Sequence, residues 1–207
     1  MNPTVEYSLV ILLGYLLGSI SFAVLIAKKH GINILKEGSG NPGATNVKRV
    51  IGKNAGNLVF FLDFLKGFLA AIIPMYAFTN PSNSATILAI VGLSSAIMGH
   101  SFSMFLKFKG GKGVATTIGG LIAIMPTVLL GGILVWLIVY YSSKIVSIAS
   151  LVFGISLPLI AYTLQQTEFA AINNQQFLFA LALAILITVR HLNNIQRLIK
   201  GKETQFK

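Results

Sequence analysis

The number of times this chain can cross a bilayer depends on residues 114–143, which read VATTIGGLIAIMPTVLLGGILVWLIVYYSS. The segment contains no charged residue, and a helix rising 1.5 Å per residue needs only roughly 20 residues to cross ~30 Å of hydrocarbon. It is therefore too long for one span. The Met125-Pro126 pair near its middle divides it into two pieces that are short for a membrane helix. We therefore expect two short helices that meet at this pair.

The composition places the whole chain in a membrane. Of the 207 residues, 55% are hydrophobic and 10% are charged, whereas about a quarter of a soluble domain is charged. The 16 Lys and Arg against 5 Asp and Glu give a net charge of +11. In a soluble protein this excess would indicate nucleic acid, but here the cations share the surface that emerges from lipid. We therefore expect no nucleic-acid partner. The absence of Cys excludes disulfides, thiolate metal sites and Cys nucleophiles.

Six mainly apolar stretches have the composition of transmembrane helices. The first has no basic residue before it and no small-residue cleavage pattern after it, so we expect a retained span and not a removed signal peptide. The stretches are Val5 to Ala27, Leu58 to Phe78, Ala85 to Leu106, Val114 to Ser143, Ile145 to Leu164 and Phe177 to Val189.

The distribution of Lys and Arg decides between six and seven crossings. If residues 114–143 cross twice, all 16 cations lie on one side of the membrane. If they cross once, the 6 cations from Lys144 onward change sides and the split becomes 10 to 6. Cytoplasmic loops carry an excess of Lys and Arg. We therefore predict an all-α integral membrane protein with seven transmembrane helices, some short or broken. Its N-terminus lies outside, its C-terminus lies in the cytoplasm, and residues 1–207 form a single domain.

The first cytoplasmic segment reads GSGNPGATNVKR at residues 38–49. Its three glycines leave backbone N–H groups free to converge on an anion. Hydroxyl and amide side chains add donors, and Arg49 supplies a planar fork for phosphate oxygens. The segment could therefore cradle a phosphate. The alternative is an ordinary turn followed by a capped helix with Thr45 or Asn46 as N-cap, and both interpretations stay open at this point.

The second segment reads GHSFSMFLKFKGGKGVATT at residues 99–117. Glycines flank Lys112, and a helix starting near Val114 points its positive end at them, as in a phosphate loop. It is not a Walker A motif, because that motif needs Gly where the chain has Leu106 and Ser or Thr where it has Gly113. A nucleotide hydrolase is therefore disfavoured. His100 alone fits a hydrogen-bonded interfacial histidine as well as a catalyst.

The third segment, RHLNNIQRLIKGKE at residues 190–203, ends the last span. On one helix, His191, Asn194 and Arg197 are spaced by three residues and share a face, which would align polar donors at the inner membrane surface. The alternative is a snorkelling basic helix bound to anionic lipid headgroups.

Two further pairs have a structural interpretation. Asp63 and Lys66 are three apart within the second span and can form an intramembrane ion pair, which we favour over a direct contact with substrate. Gly14 and Gly18 have the spacing of a helix-packing motif, for which we favour packing within the chain over a dimer face.

Taken together, these segments resemble the acyl-phosphate-dependent glycerol-3-phosphate acyltransferases, bacterial membrane enzymes of phospholipid synthesis. The resemblance also includes Gly18-Ser19-Ile20-Ser21-Phe22 and Asp63-Phe64-Leu65-Lys66-Gly67, so it spans almost the whole chain. The strings GSGNPGATN and FKGGKGVAT are long and unusual. The family implies a seven-helix fold whose active site opens to the cytoplasm.

The resemblance also implies roles for individual residues. The phosphate groups would be surrounded by Ser39, Arg49, Lys112, His191 and Asn194 as the catalytic set. The same pocket would be shaped by His100 and by loop residues Gly38, Gly40, Asn41, Gly43, Gly110, Gly111 and Gly113, with Thr45, Asn46 and Lys109 as second choices.

The chain departs from the family pattern at three positions. The family usually has Pro where this chain has Ser21 and Ser103, and Glu where it has Asn193. We expect the two serines to alter helix kinks or turn rigidity more than chemistry. Asn193 removes a carboxylate that could have acted beside His191.

The implied activity is transfer of a fatty acyl group from acyl-phosphate to the sn-1 hydroxyl of glycerol-3-phosphate, giving lysophosphatidic acid and inorganic phosphate. An acyl-phosphate already has a good leaving group, so a cationic, Gly-rich site needs mainly to position two anions and stabilise charge. No carboxylate lies in the core motifs, and no His is followed five residues later by Asp. The base would then be a phosphate oxygen of a bound substrate, or else His191.

We expect a monomer in the bacterial cytoplasmic (inner) membrane, with membrane lipid around it, no cofactor and no metal. The alternative from another class is a transporter or channel for phosphorylated solutes, because cations and broken helices also serve anion permeation. A permeation path would need binding groups on both faces, whereas the predicted outer loops contain no Lys or Arg.

Overall fold

All regular elements that the computed structural model describes, within residues 2–78, 84–167 and 169–205, are helices. A single turn of 3-10 helix covers Met104–Leu106. The α-helices are α1 (Pro3–Ser19), α2 (Phe22–Lys29), α3 (Ala44–Val50), α4 (Lys53–Ala77), α5 (Ala85–Ser101), α6 (Val114–Ile124), α7 (Pro126–Ser143), α8 (Val146–Gln165), α9 (Asn174–Arg190) and α10 (Leu192–Ile199).

Five segments of the described chain are long and apolar enough to cross a bilayer by length and composition. They are Pro3–Lys29, which combines α1 and α2, then α4, Ala85–Leu106, α7 and α8. The pair α9 and α10 would make a sixth, but these two helices are bent by 56° relative to each other. Helix α6 is apolar but has only 11 residues. The count of seven spans and the direction of the termini therefore stay predictions.

The helix break at Met125-Pro126 is confirmed. Helix α6 ends at Ile124 and α7 begins at Pro126, with Met125 between them at φ −149° and ψ 67°. Proline suits the first position of a helix because its missing N–H would have no partner there. The chain also divides at this point into two compact units, Met1–Ile124 and Met125–Lys207. A single domain over residues 1–207 stays a prediction.

In the first unit, α4 packs against each of the other five helices. Helices α1 and α5 approach so closely that a Cβ on Gly14 would lie 2.8 Å from the Gly92 carbonyl oxygen, and one on Gly18 would overlap the Ala96 carbonyl. Small residues allow this approach of two backbones inside a membrane. Packing of Gly14 and Gly18 within the chain is thus confirmed.

The predicted first span, Val5 to Ala27, lies within the candidate span Pro3–Lys29, which consists of two helices. Helix α1 ends at Ser19 and α2 begins at Phe22. Ser21 is the N-cap of α2, and its hydroxyl accepts a hydrogen bond from the Val24 N–H at 3.4 Å. The hydropathy pattern did not predict this break. It indicates which residues can cross a membrane, and it does not indicate whether they form one continuous helix.

Side chains from other elements hold the carbonyls at this break. Lys66 Nζ of α4 donates to the Ile20 carbonyl at 2.8 Å, and Ser103 Oγ donates to the Ser19 carbonyl at 2.6 Å. Proline, which the family usually has at position 103, could not make the second bond. Ser21 and Ser103 therefore both act at the break between α1 and α2, in the structural way that their sequence positions predicted.

In the second unit, α8 packs against α7 and α9, and α10 contacts α9. Gly132 of α7 lies against Phe153 and Leu157 of α8, and Gly154 of α8 lies against Ile187 of α9. Helix α7 ends in the aromatic residues that precede Lys144, whose Nζ lies 5.0 Å from the centre of the Tyr141 ring. Aromatic and basic side chains in this order are typical of a membrane interface.

Candidate active site

The first Gly-rich loop, residues 38–43, lies on an apolar platform formed by α2, α3 and α4. This apolar cluster contains residues from both sides of the loop in the chain. Helix α2 and Ile34 precede the loop, and α3 and α4 follow it. The buried members of the cluster are Ala23, Ile26, Ala27, Ile34, Val47 and Val59.

Asn46 organises the backbone of this loop. Its side chain is 1% exposed. The amide Oδ1 accepts from the Ser39 N–H at 2.9 Å, and the Nδ2 group donates to the carbonyls of Glu37 at 2.9 Å and Ile34 at 3.3 Å. Both N–H donors of the amide are thus used within the loop. For Asn46 to contact phosphate directly, as predicted, its amide would have to break one of these backbone hydrogen bonds.

The glycine at position 38 is required by geometry. Gly38 has a φ of 59°, a left-handed conformation that L side chains rarely adopt. A Cβ at this position would also overlap the Asn46 amide oxygen. Ser39 follows directly and is exposed, as is Arg49 near the end of α3. The loop therefore presents the hydroxyl of Ser39 from a fixed backbone, and α3 presents the guanidinium of Arg49.

Neither Thr45 nor Asn46, the two N-cap candidates of the alternative interpretation, caps α3. The N-cap residue is Gly43, and Thr45 and Asn46 lie inside the first turn of α3. Because Gly43 has no side chain to accept from the helix N–H groups, the amide of Asn46 is available to hold the loop before the helix. Asn41 and Thr45 are half-buried beside it.

The second loop connects α5 to α6 and turns tightly before its glycines. Lys107 and Phe108 both have positive φ, at 52° and 61°. The Ser103 carbonyl holds the turn by accepting from the N–H groups of Leu106 at 3.1 Å and Phe108 at 2.8 Å. Lys109 is exposed at the end of this turn. The turn brings the chain back toward the end of α5.

Gly110 and Gly111 then pair with the last residues of α5. The Gly110 N–H donates to the Ser101 carbonyl at 3.1 Å, and the Gly111 N–H donates to the His100 carbonyl at 3.0 Å. Lys112 follows and is partly buried. Gly113 has a φ of 79° and leads directly into α6, so Lys112 lies just before the positive end of that helix.

The structure brings the two loops of the first unit together. A Cβ on Gly111 would lie 3.1 Å from the carbonyl oxygen of Pro42 and would overlap the imidazole of His100. Only a glycine permits this approach. The loop that carries Ser39 and the loop that carries Lys112 are therefore in contact, and His100 lies at the contact.

The predicted ion pair between Asp63 and Lys66 is confirmed. Lys66 Nζ lies 2.7 Å from Asp63 Oδ1, and both residues are 2% exposed. His100 adds a third group, since its Nδ1 lies 3.6 Å from the same carboxylate oxygen.

Asn194 and Arg197 lie three residues apart on one helix, α10, and the chain bends just before this helix at His191. This residue follows α9 and is the N-cap of α10. Its Nδ1 lies 2.8 Å from the Ile187 carbonyl oxygen. Since a carbonyl can only accept, Nδ1 carries a hydrogen, so that Nε2 is the acceptor nitrogen whenever the ring is neutral. His191 and Asn194 are both buried, at 2% and 4% exposed.

Glu203 contacts Asn194 and Arg197, and the sequence prediction did not include it. One oxygen, Oε1, accepts from Ser147 Oγ at 2.8 Å and from Asn194 Nδ2 at 2.5 Å. The other oxygen accepts from Arg197 Nε at 2.6 Å. Glu203 is the only carboxylate of the third segment, and that scarcity in a basic tail was the available signal.

Burial of Glu203 would by itself raise the pKa of its carboxyl group. Hydrogen bonds from Arg197, Ser147 and Asn194, together with the charge of Arg197, outweigh this effect and lower the pKa below its usual range. The carboxylate is therefore charged at neutral pH and holds Asn194 and Arg197 together. Within the described residues, no group of three or more His, Asp or Glu is placed to bind a metal ion.

We predict that Glu203→Gln lowers the thermal midpoint of unfolding in detergent at neutral pH. Because the folded-state pKa of Glu203 is lowered, its contribution to stability is complete above the pKa of the unfolded chain and is lost as the pH falls through the folded-state pKa. The difference between wild type and variant should therefore shrink below about pH 4. Glu37→Gln, which changes an exposed carboxyl group, is the control. A difference for Glu203→Gln that does not vary with pH would contradict the prediction.

Known proteins match this chain over nearly its whole length. A family model described as glycerol-3-phosphate acyltransferase matches residues 8–201. The glycerol-3-phosphate acyltransferase of Aquifex aeolicus is 43% identical over 196 residues, which cover 95% of this chain and 97% of the relative. That of Neisseria meningitidis is 41% identical and covers 92% of both chains.

Two solved structures have the same fold. Both are of PlsY (YgiH), an integral membrane glycerol 3-phosphate acyltransferase, and both are 39% identical to this chain and cover 97% of it. The glycerol 3-phosphate form, of which 96% is covered, gives a TM-score of 0.87. The lysophosphatidic acid form, of which 95% is covered, gives 0.84. The family match, the relatives and these structures together show that the chain belongs to the glycerol-3-phosphate acyltransferase family of integral membrane enzymes.

Proposed function

We propose that this chain transfers a fatty acyl group from acyl-phosphate to the sn-1 hydroxyl of glycerol-3-phosphate. The products are lysophosphatidic acid and inorganic phosphate. The observation that carries the proposal is the likeness, at 39% identity, to one enzyme in both a glycerol 3-phosphate form and a lysophosphatidic acid form. These two molecules differ by one acyl group, so they are the acceptor and the product of an acylation.

The donor is inferred from the chemistry of the site residues. An acyl-phosphate is a mixed anhydride, so its phosphate leaves readily once negative charge on it is stabilised. The acceptor hydroxyl attacks the carbonyl carbon, a carbon–oxygen ester bond forms, and the bond from that carbon to the phosphate oxygen breaks. Inorganic phosphate leaves with the electron pair. Holding two anionic substrates side by side is then the main task of the protein.

The residues proposed for this task are donors and cations. They are Ser39, Arg49, Lys112, His191 and Asn194, the set that the family resemblance implies. We assign them to the phosphate groups of the two substrates. The hydroxyl proton passes to a phosphate oxygen of a bound substrate. His191 Nε2 is the second choice of base, because Nδ1 faces the Ile187 carbonyl and leaves Nε2 as the acceptor of a neutral ring.

The remaining sequence predictions complete the proposal. The chain crosses the bacterial inner membrane seven times, α6 being a short crossing, and acts as a monomer with its active site toward the cytoplasm. The charge split of 16 to 0 supports this topology. Nothing among the relatives supports the alternative of a transporter or channel for phosphorylated solutes.

The donor is tested with purified protein, acyl-phosphate and glycerol-3-phosphate, by following release of inorganic phosphate. We expect turnover without added metal, nucleotide or thioester, and the same rate after treatment with a chelator. The acyl-phosphate carries its own leaving group, so no activation step is needed. Turnover with acyl-CoA and none with acyl-phosphate would overturn the choice of donor.

We predict that Lys112→Ala and Arg49→Ala each nearly abolish activity. Loss of a charge-assisted contact that strengthens as phosphate leaves should cost about 3 kcal/mol or more, roughly a hundredfold in turnover. A lysine cannot replace the bidentate fork of Arg49, nor can Arg49 replace Lys112 at the helix end. The measurement is kcat for protein that remains monodisperse in detergent.

Lys202→Ala is the matched control, because Lys202 is exposed in the tail of the same basic chain. It should retain most of the activity. Equal losses in all three variants would contradict the phosphate role. So would a Lys112→Ala variant that keeps more than about half of the activity, which corresponds to under 0.5 kcal/mol of barrier.

The topology is tested with reporter fusions. A reporter after Lys207 should be cytoplasmic, and one inserted within residues 165–176 should be external, because the basic tail and the cation-free loop lie on opposite sides in the seven-span arrangement. An external reporter after Lys207 together with a cytoplasmic reporter within residues 165–176 would mean that residues 114–143 do not cross twice, because both segments follow them in the chain.

A further inference from the structure

Three buried titratable side chains lie behind the two loops of the first unit. Asp63 and Lys66 of α4 are each 2% exposed, and His100 of α5 is 8% exposed. Ionisable groups inside a membrane protein are costly to bury and mark functional positions when they are paired with one another. The proposed phosphate contacts use none of the charge on Asp63 or Lys66.

The contacts of Lys66 are accounted for by structure alone. Its Nζ forms the ion pair with Asp63 at 2.7 Å, donates to the Ile20 carbonyl at 2.8 Å and lies 5.6 Å from the centre of the Phe22 ring. Lys66 thus neutralises Asp63 and holds the break between α1 and α2.

The contacts of Asp63 reach further. Its Oδ1 lies 3.6 Å from His100 Nδ1. The opposite nitrogen of the same ring, Nε2, lies against Gly111, where a Cβ would overlap it. The imidazole therefore connects the buried carboxylate to the residue that immediately precedes Lys112. A carboxylate next to one ring nitrogen decides which nitrogen carries the hydrogen and how the ring is oriented.

We propose that Asp63 is a positioning residue, which fixes the ring of His100 against Gly111 and thereby sets the backbone that presents Lys112 to phosphate. Lys66 keeps the carboxylate neutralised while it does so. The role of Lys112 in this inference rests on the proposed function. The orientation of His100 by Asp63 does not.

The competing interpretation is that Asp63 serves only to neutralise Lys66. The two interpretations differ in what happens when both charges are removed together. The double variant Asp63→Asn, Lys66→Met leaves no unpaired buried charge, so a purely structural ion pair could be replaced at little cost. If Asp63 also orients His100, the double variant must still alter the orientation of the His100 imidazole and lower turnover.

The first readout is the ring itself. The chain has 3 histidines, so protein labelled with ¹⁵N in histidine gives three pairs of ring signals, and His100→Asn identifies the pair that belongs to His100. In the double variant we expect the His100 ring signals to shift while those of His30 and His191 stay in place. Unchanged His100 signals would overturn the proposal, and this result does not depend on any substrate.

The second readout is a mutant cycle in kcat. We expect the double variant to lose about tenfold or more in kcat, and less than about threefold when the same two changes are added to His100→Asn. Equal losses in both backgrounds would mean that Asp63 does not act through His100. If the wild type shows no turnover at all, the proposed function has failed, and the ring signals alone decide the inference.

Asp63→Glu covers the case in which the double variant does not fold. It keeps a negative charge for Lys66 but moves the carboxylate by one methylene group, so charge neutralisation is retained and the position facing His100 is changed. We expect a shift of the His100 signals in monodisperse protein and lower turnover. Wild-type signals and wild-type kcat in Asp63→Glu would overturn the proposal.

Discussion

Backbone polar groups inside hydrocarbon have no water to bind, so each interruption of a membrane helix needs partners from the protein. This chain interrupts its helices at residues 20–21, 125 and 191. At the first break, Lys66 and Ser103 donate to the exposed carbonyls. At the second, Pro126 has no N–H to satisfy and the Leu129 N–H bonds the Met125 carbonyl at 3.0 Å. At the third, the ring of His191 bonds the Ile187 carbonyl. The residues that satisfy the breaks include several that lie next to the proposed site.

The breaks also show how far the sequence could predict the fold. The break at Met125-Pro126 was predictable, because a proline stands in the middle of an apolar segment too long for one span. The break at Ser19 to Ser21 was not, because its stabilising bonds come from positions 46 and 84 residues away in the chain. A hydropathy pattern is local, and such long-range bonds leave no mark in it. The family pattern nevertheless marked Ser21 and Ser103 as unusual.

The site was predictable where its chemistry is written in consecutive residues. The glycines around Ser39 and Lys112, and the spacing of Asp63 and Lys66, were sufficient to predict loops for phosphate and a buried ion pair. Two features depend on folding and were not visible. The side-chain amide of Asn46 could donate a hydrogen bond to phosphate, but in the structure it bonds the backbone of the first loop and of the segment before it. Glu203 lies in a basic tail and reaches Ser147, 56 residues earlier in the chain.

Asp63 and Glu203 follow the same rule in their separate units. Asp63 contacts Lys66 and His100, and Glu203 contacts Ser147, Asn194 and Arg197. In each case an acid holds the donors and cations and lies outside the residues proposed to meet phosphate. A carboxylate in direct contact with a phosphate would repel it, and this repulsion weakens with distance and with each neighbouring cation. An acid placed behind the donors can therefore orient them without opposing the anion. The core motifs therefore contain no carboxylate base. Acids outside these motifs organise the donors and cations on which the motifs depend.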